Sequence, residues 1–506
     1  MASVSDNLFS VLSAGKDAGR TAFISGWGAA MRYGDLWAAS ARMAHRLVAL
    51  GVAPGDRIAV QTEKSVETLV LYLASLRAGA VYLPLNTAYT PAEVGYFLGD
   101  AEPTLFVVDP AAIGTMSAVA REAGATLVTL GADGASGTLL DGLDALPSDF
   151  ATVPRGADDL AAILYTSGTT GRSKGAMLTH ANLRSNAETL MRTWRFTAED
   201  ELLHALPIYH THGLFVATNT LMLAGGTIRL LPKFNLDAIF RGLETATALM
   251  GVPTFYTRLL ADSRLDCANT AGVRLFVSGS APLLAETHRA WEAATGHRIL
   301  ERYGMTETNM NCSNPYEGER RPGTVGPGLP GVSVRVVDET TGEPVPPGTI
   351  GMVEVKGPNV FKGYWRMPEK TAAEFRADGY FITGDLGQLS ADGYLEIVGR
   401  GKDLIITGGL NVYPKEVETE IDALDGVEES AVIGLPDADF GEAVTAVVVR
   451  TPGSALAEAD IVAAIAPRLA RFKQPKAVFF ADALPRNTMG KVQKAVLRET
   501  FGKQLV

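Results

Sequence analysis

Through the first 400 residues, short β-branched and apolar runs alternate with amphipathic, alanine-rich stretches. Runs at 57–61, 104–108, 126–130, 228–231 and 275–277 have the length of buried strands, and the spacing of apolar positions at 66–78 and 91–98 predicts helices between them. Such alternation points to layered α/β architecture, with helices covering sheets. The longest greasy stretch, 69–85, is interrupted by Arg77 and by small residues. It is too short and too broken to span a bilayer and reads as a buried helix leading into a strand. From about Gly331 the rhythm changes: strands at 332–337 and 351–355 are separated by turns such as Pro346-Pro347-Gly348, which suits a β-rich unit. After Arg400 comes a tail with a strand at 404–407, a turn at Gly408-Gly409, a helix opening near Pro414, strands at 430–434 and 444–450, a helix at 458–469 and a strand at 476–480. The expectation is an α/β chain with a large multi-layer N-terminal domain over 1–401, β-rich from about 331 to 400, and a small α+β C-terminal domain over 402–506.

Composition narrows the class. Of 506 residues, 47% are apolar and 20% charged, the balance of an ordinary globular protein that buries its core without staples. The net charge of −11 argues against a nucleic-acid surface. Residues 1–24 carry scattered charges where a signal peptide would have an unbroken apolar core. Only Cys267 and Cys312 could form a disulfide, and no ladder of paired cysteines points to an oxidising compartment, so reduced thiols in a cytoplasmic, non-membrane enzyme are expected.

One segment carries chemistry by itself. After the apolar strand 160–164 come Tyr165, Thr166, Ser167, Gly168, Thr169, Thr170, Gly171, Arg172, Ser173, Lys174 and Gly175. Small hydroxyl residues and glycines let backbone and side-chain donors close around phosphate oxygens, and Lys174 adds a point charge. The Gly-Lys-Ser/Thr ending of a Walker A loop is absent.

With this loop the chain resembles the adenylate-forming superfamily of acyl-CoA synthetases, luciferases and peptide-synthetase adenylation domains. The resemblance covers essentially the whole chain. It also rests on Tyr303-Gly304-Met305-Thr306-Glu307, Tyr380-Phe381-Ile382-Thr383-Gly384-Asp385, Gly399-Arg400, the run from Gly408 to Pro414 and the run from Pro485 to Lys491. It implies a reaction in two halves: a carboxylate attacks the α-phosphate of ATP and expels pyrophosphate, and the thiol of coenzyme A then attacks the acyl-adenylate. It also implies that the C-terminal domain is a mobile lid turning about a hinge at Lys402.

Residue by residue, the resemblance implies that Lys491 bridges substrate carboxylate and α-phosphate, while nearby Lys494 reads as a solvated surface lysine. Tyr303 is expected to stack on adenine beside the wall Ser278-Gly279-Ser280, and Thr306 to contact the α-phosphate. Glu307, with Thr166, is expected to hold Mg²⁺, a hard cation that prefers oxygen ligands. Asp385 would accept the ribose hydroxyls and Arg400 would donate nearby. Gly408 and Gly409 would let the pantetheine arm pass.

For the acid, the resemblance implies a pocket of Arg302, Met305, Ser278 and the gating His210. Arg302 stands where aryl-activating relatives have glycine. A planar guanidinium suits bidentate capture of a carboxylate and is costly to bury opposite a hydrocarbon tail, so a short acid with a second carboxylate is expected. The pattern is most like malonyl-CoA synthetases. Arg302 turned away to pair with a structural acid is the plainer alternative. Methylmalonate, oxalate or a fatty acid, or loading of a carrier protein, are the competing functions. The partners expected are small molecules, with the chain a monomer or small homo-oligomer.

Overall fold

The structure is a computed structural model that describes residues 6–166, 173–407, 410–437, 440–469, 471–487 and 490–502. Two largely parallel sheets build its N-terminal part. The first runs in the order Gly363–Tyr364, Lys174–Thr179, Leu160–Thr166, Val81–Pro84, Arg57–Gln61, Leu105–Val108, Thr126–Thr129. The second runs Asn309–Ser313, Leu300–Met305, Leu275–Ser278, Ala248–Gly251, Glu201–His204, Thr227–Leu230, Thr21–Ser25, Ala30–Arg32, parallel except at its two outermost strands. Parallel strands are covered on both faces and so need apolar residues at successive positions. Val81–Pro84, Leu105–Val108, Ala248–Gly251 and Leu275–Ser278 are buried at every residue.

The greasy stretch is the helix Val66–Arg77 followed by the strand Val81–Pro84, as its pattern predicts. Ser65 caps the helix by accepting the Thr68 N–H at 3.1 Å. Buried almost all round, the helix sets Tyr72 against Tyr82 of the first sheet (5.2 Å between ring centres) and Phe215 (6.1 Å). The β-rich unit is an antiparallel sheet of Ser333–Val337, Gly351–Lys356, Phe381–Leu389 and Leu395–Arg400, whose register sets Asp385 opposite Arg400.

Beyond Arg400, the hairpin Val427–Asp437/Gly441–Arg450 pairs in parallel with Ala477–Ala481. Side chains alternate across a strand, so this sheet carries two cores. Val432, Ala446 and Val448 pack with Val417, Ile421 and Ile461 on one face; Ile433, Leu435 and Val447 pack with Leu497 and Phe501 on the other. Neither cluster merges with the N-terminal core.

Several expectations need correction. The helix expected to 469 ends at Ile465, because Pro467 has no N–H for the ladder. The strand expected at 430–434 spans Val427–Asp437, because Val427 pairs with Arg450 and Glu429 with Val449 beyond the apolar run, the ladder shifting register between them. Helix Lys494–Gly502 and a π-helix at His212–Asn219 had no sequence expectation. Both cysteines are free, and among the described residues no helix is long and apolar enough to cross a membrane.

The aromatic wedge under the second sheet supplies a stability test. Trp291, fully buried, meets Tyr256 and Phe276 at 5.0 and 4.9 Å between ring centres. Trp291→Ala is expected to cost about 3–5 kcal/mol, seen as a lower urea midpoint at an unchanged slope.

Candidate active site

Parallel strands deliver their carboxyl ends to one edge, where open α/β sheets build their sites. His204, Ser278 and Tyr303 all arrive at that edge of the second sheet. Tyr303 donates its hydroxyl to Asp385 Oδ2, while Arg400 Nε meets Asp385 Oδ1 at 2.6 Å and Arg400 Nη1 donates to the Thr383 carbonyl at 3.0 Å. Burial first, then the Asp385 charge, pushes the Tyr303 phenol well above its usual range. Two sheets thus close on one carboxylate.

Beside it, Glu307 is buried, its Oε1 3.1 Å from the Tyr364 hydroxyl, which also lies 2.6 Å from Glu374 Oε2. Glu374 Oε1 in turn takes Lys174 Nζ at 3.1 Å, and that ammonium stands 4.1 Å from the Tyr364 ring centre. Desolvation raises the Glu307 pKa. Sequence reasoning found the two ends of this chain, Lys174 and Glu307, and missed Glu374 and Tyr364, whose contacts span distant parts of the chain. Thr166 Oγ1 donates to the Lys174 carbonyl at 3.4 Å. Thr306 sits half-buried in the turn after Leu300–Met305, and Met305 is half-buried against the core.

On the other side of Tyr303 lies Arg302, 3% exposed, with its Nε and Nη2 buried and without a hydrogen-bond partner. Among the described residues it pairs with no structural acid. Its neighbour Glu301 leaves the strand on the opposite face, where Oε1 accepts the Leu283 N–H at 3.2 Å. Burial lowers Arg302 to about 9 and raises Glu301 to about 8. The guanidinium lies flat on Gly279, where an added Cβ would sit 2.3 Å from its carbon; any side chain would displace it. Ser278 is fully buried, and its hydroxyl has no partner among the described residues.

The segment carrying His210 is pinned from below. Lys64 Nζ lies 2.9 Å from His204 Nδ1 and donates to the carbonyls of His204 and Leu206 at 2.8 Å each. His204 Nε2 and the Thr218 hydroxyl both meet the Gly213 carbonyl at 2.9 Å. Gly213 itself approaches Pro207 so closely that a Cβ would fall 2.1 Å from the Pro207 carbonyl oxygen. Burial lowers His210 to about 4, so its imidazole is neutral near pH 7. Lys64 was missed, although a lone lysine between a parallel strand and a capped helix is a signal of such a strut.

The C-terminal part reaches over this edge. Asn487 and Lys491 bond backbone to backbone at 2.9 Å, and Gly490, with φ +75°, rests on Thr254 of the N-terminal part, 3.3 Å from where its Cβ would be. Lys491 keeps solvent contact, yet the protein around its ammonium, followed by the Arg400 charge, lowers it to about 8. Lys402 lies in the turn Gly401–Asp403, lowered by burial, and the adjoining Asp403 pairs with Arg498 at 2.8 Å. Lys494 is no solvated lysine: it pairs at 2.6 Å with buried Glu418. The expected Ser167, Gly168, Thr169, Thr170 and Gly171, and Gly408 and Gly409, lie outside the described residues.

The family model of AMP-binding enzymes matches residues 12–365, and that of the AMP-binding enzyme C-terminal domain matches residues 416–491. The chain belongs to the AMP-binding enzyme family. Among solved members, MatB from Rhodopseudomonas palustris is 61% identical and pairs with 99% of this chain and 100% of its own, at TM-score 0.98 for the ATP-bound crystal structure and 0.86 for the apo one. Feruloyl-CoA synthase of an Amycolatopsis species is 37% identical over 94% of this chain and 95% of that protein. A malonate–CoA ligase of Arabidopsis thaliana is 34% identical over 90% of this chain and 79% of that protein.

In this AMP-binding enzyme, the shared hydroxyl of Tyr364 can be tested alone. Tyr364→Phe keeps the ring under Lys174 and removes the donor between two carboxylates. Leaving a buried acceptor unmatched costs about 1–3 kcal/mol. We expect kcat/KM for ATP to fall roughly 5- to 100-fold while KM for the acid holds steady; equal loss for both substrates would count against the link.

Proposed function

We propose that this enzyme is an AMP-forming acyl-CoA synthetase that makes malonyl-CoA from malonate, ATP and CoA. Malonyl adenylate is the intermediate, and AMP and pyrophosphate are the products. The observation that carries the choice of acid is Arg302, a buried guanidinium whose Nε and Nη2 have no acceptor among the described residues. A cation buried in this way is stable only with an anion beside it, and a carboxylate matches its fork. Malonate presents one carboxylate for activation and a second one methylene away for that fork.

In the first half-reaction a carboxylate oxygen attacks the α-phosphorus and the bond to pyrophosphate breaks. Two anions must approach, so the step needs fixed positive charge. We assign that work to Lys491, standing near Arg400 and Asp385, and to Lys174, with Thr306 donating to the α-phosphate. Tyr303 and the 278–280 wall hold the adenine, Asp385 and Arg400 the ribose. Glu307, a buried carboxylate with one hydrogen-bonding side-chain neighbour, fits Mg²⁺, and Thr166 would join it. Among the described residues no cluster of three metal ligands exists, so substrate oxygens and water would complete the shell. Mg²⁺ would supply charge neutralisation on the phosphates. In the second half-reaction the CoA thiolate attacks the acyl carbon and AMP leaves; we assign the hinge for the change of state to Lys402, with the lid over 402–506 turning on the body at 1–401.

Lys491→Ala should reduce acyl-adenylate formation by about 10²–10³ or more, with thioester formation from supplied adenylate much less affected. The ammonium is charged below about 8 and neutral above it. Pyrophosphate release should therefore decline as pH rises through that value. Half-reaction assays across pH check both points, and equal loss in both halves would refute the assignment.

Arg302→Ala should lower kcat/KM for malonate by roughly thirty- to several-thousand-fold, the result of about 2–5 kcal/mol lost when one partner of a buried charge pair is removed. Acetate and butyrate never use the contact and should be spared. The measurement is kcat/KM for the three acids in wild type and variant.

A further inference from the structure

Arg302 is not alone in lacking a partner. Around residues 278–280, the Nε2 of His212 and the hydroxyl of Ser278 are also buried and have no partner among the described residues. Gly279 carries the Arg302 guanidinium against its backbone, and Ser280 Oγ sits 3.1 Å from His212 Nδ1, so one short segment brackets both side chains. We propose that His212 is a specificity-determining residue that donates its Nε2–H to the second carboxylate of the acid, beside the Arg302 fork. The proposal rests on the dicarboxylate reading above and names the residue that completes it.

The fold spends much on presenting this imidazole. His212 is 2% exposed and opens the π-helix His212–Asn219, the irregular kind of turn that recurs at functional sites. Lys64 donates to His204 Nδ1, which leaves the His204 proton on Nε2 to donate to the Gly213 carbonyl, one residue past His212. From above, Ser280 adopts φ +71°, a left-handed conformation that a serine holds at a cost, and thereby brings its hydroxyl to His212 Nδ1. When that hydroxyl donates, Nε2 carries the hydrogen and, buried, has no acceptor among the described residues.

Charge balance supports the same assignment. Burial, then the neighbouring Arg302, hold the His212 ring far below its usual range, so it stays neutral. One fixed cation, Arg302, meets one distal carboxylate, and the remaining donors, His212 and Ser278, add hydrogen bonds without a second positive charge. A monocarboxylate would leave all of them unmatched, and sites with unmatched polar groups reject such analogues strongly.

The test compares His212→Leu, which keeps bulk and loses the donor, with His212→Gln, whose amide nitrogen falls near the Nε2 position. Each is assayed by pyrophosphate release with malonate, acetate and butyrate, together with KM for ATP. We expect His212→Leu to lower kcat/KM for malonate about 10- to 100-fold, to spare acetate and butyrate, and to leave KM for ATP unchanged. His212→Gln should recover most of the preference for malonate. Equal losses on all three acids, or a raised KM for ATP, would overturn the proposal. If the leucine variant does not fold, the glutamine variant decides: retained preference for malonate supports the role and lost preference overturns it. Arg302→Ala separates the two layers. Selective loss there without selective loss at His212 overturns this inference alone, and no selectivity in wild type overturns the dicarboxylate reading with it.

Discussion

The Asp385 carboxylate is the point on which the site depends. It belongs to the antiparallel sheet, yet its oxygens are taken by Tyr303 from the second parallel sheet and by Arg400 from the neighbouring strand. The register that sets Asp385 opposite Arg400 also fixes where the chain leaves for its C-terminal part, because the turn Gly401–Asp403 follows at once. Lys491 then comes back over the same pair, close enough for both charges to act on it. One anion thus aligns two sheets, starts the connection to a third unit and receives the tip of that unit.

The protein also buries basic side chains that lack acidic partners. Lys64 is satisfied by carbonyl oxygens and an imidazole, whereas the Nε and Nη2 of Arg302 have no partner among the described residues. An unpaired buried charge costs several kcal/mol, which the large apolar core absorbs. The difference between the two is instructive. A basic group whose hydrogens are all directed at acceptors within the chain is a strut, whereas one left unmatched is kept for something that arrives.

Much of this was legible in the residues. Unbroken apolar runs marked the parallel strands because both faces are covered, and the greasy stretch resolved into a capped helix and a strand for the same reason. The ordered motifs marked Lys174, Tyr303, Glu307, Asp385 and Lys491. The partners of these residues were not legible. Glu374 reaches Lys174 across some two hundred positions, a closeness that only the completed sheet creates. Lys494 looked like surface because nothing nearby in sequence shows the buried Glu418 waiting for it. The π-helix escaped for another cause: apolar residues buried on all sides carry no period that separates it from an α-helix.

The separation of the apolar clusters bears on how the molecule comes apart. The C-terminal unit carries its own two cores, follows directly on the turn at Gly401–Asp403, and meets the body at Gly490 upon Thr254 and where the helix Pro414–Asp422 lies beside the strand Leu395–Arg400. Little grease is shared, so little couples the melting of one part to the other. Heating should therefore give two transitions in calorimetry. A nucleotide held between Asp385 and Lys491, as proposed for ATP, would draw them together, since it would touch both bodies and stabilise only the state in which they are in contact.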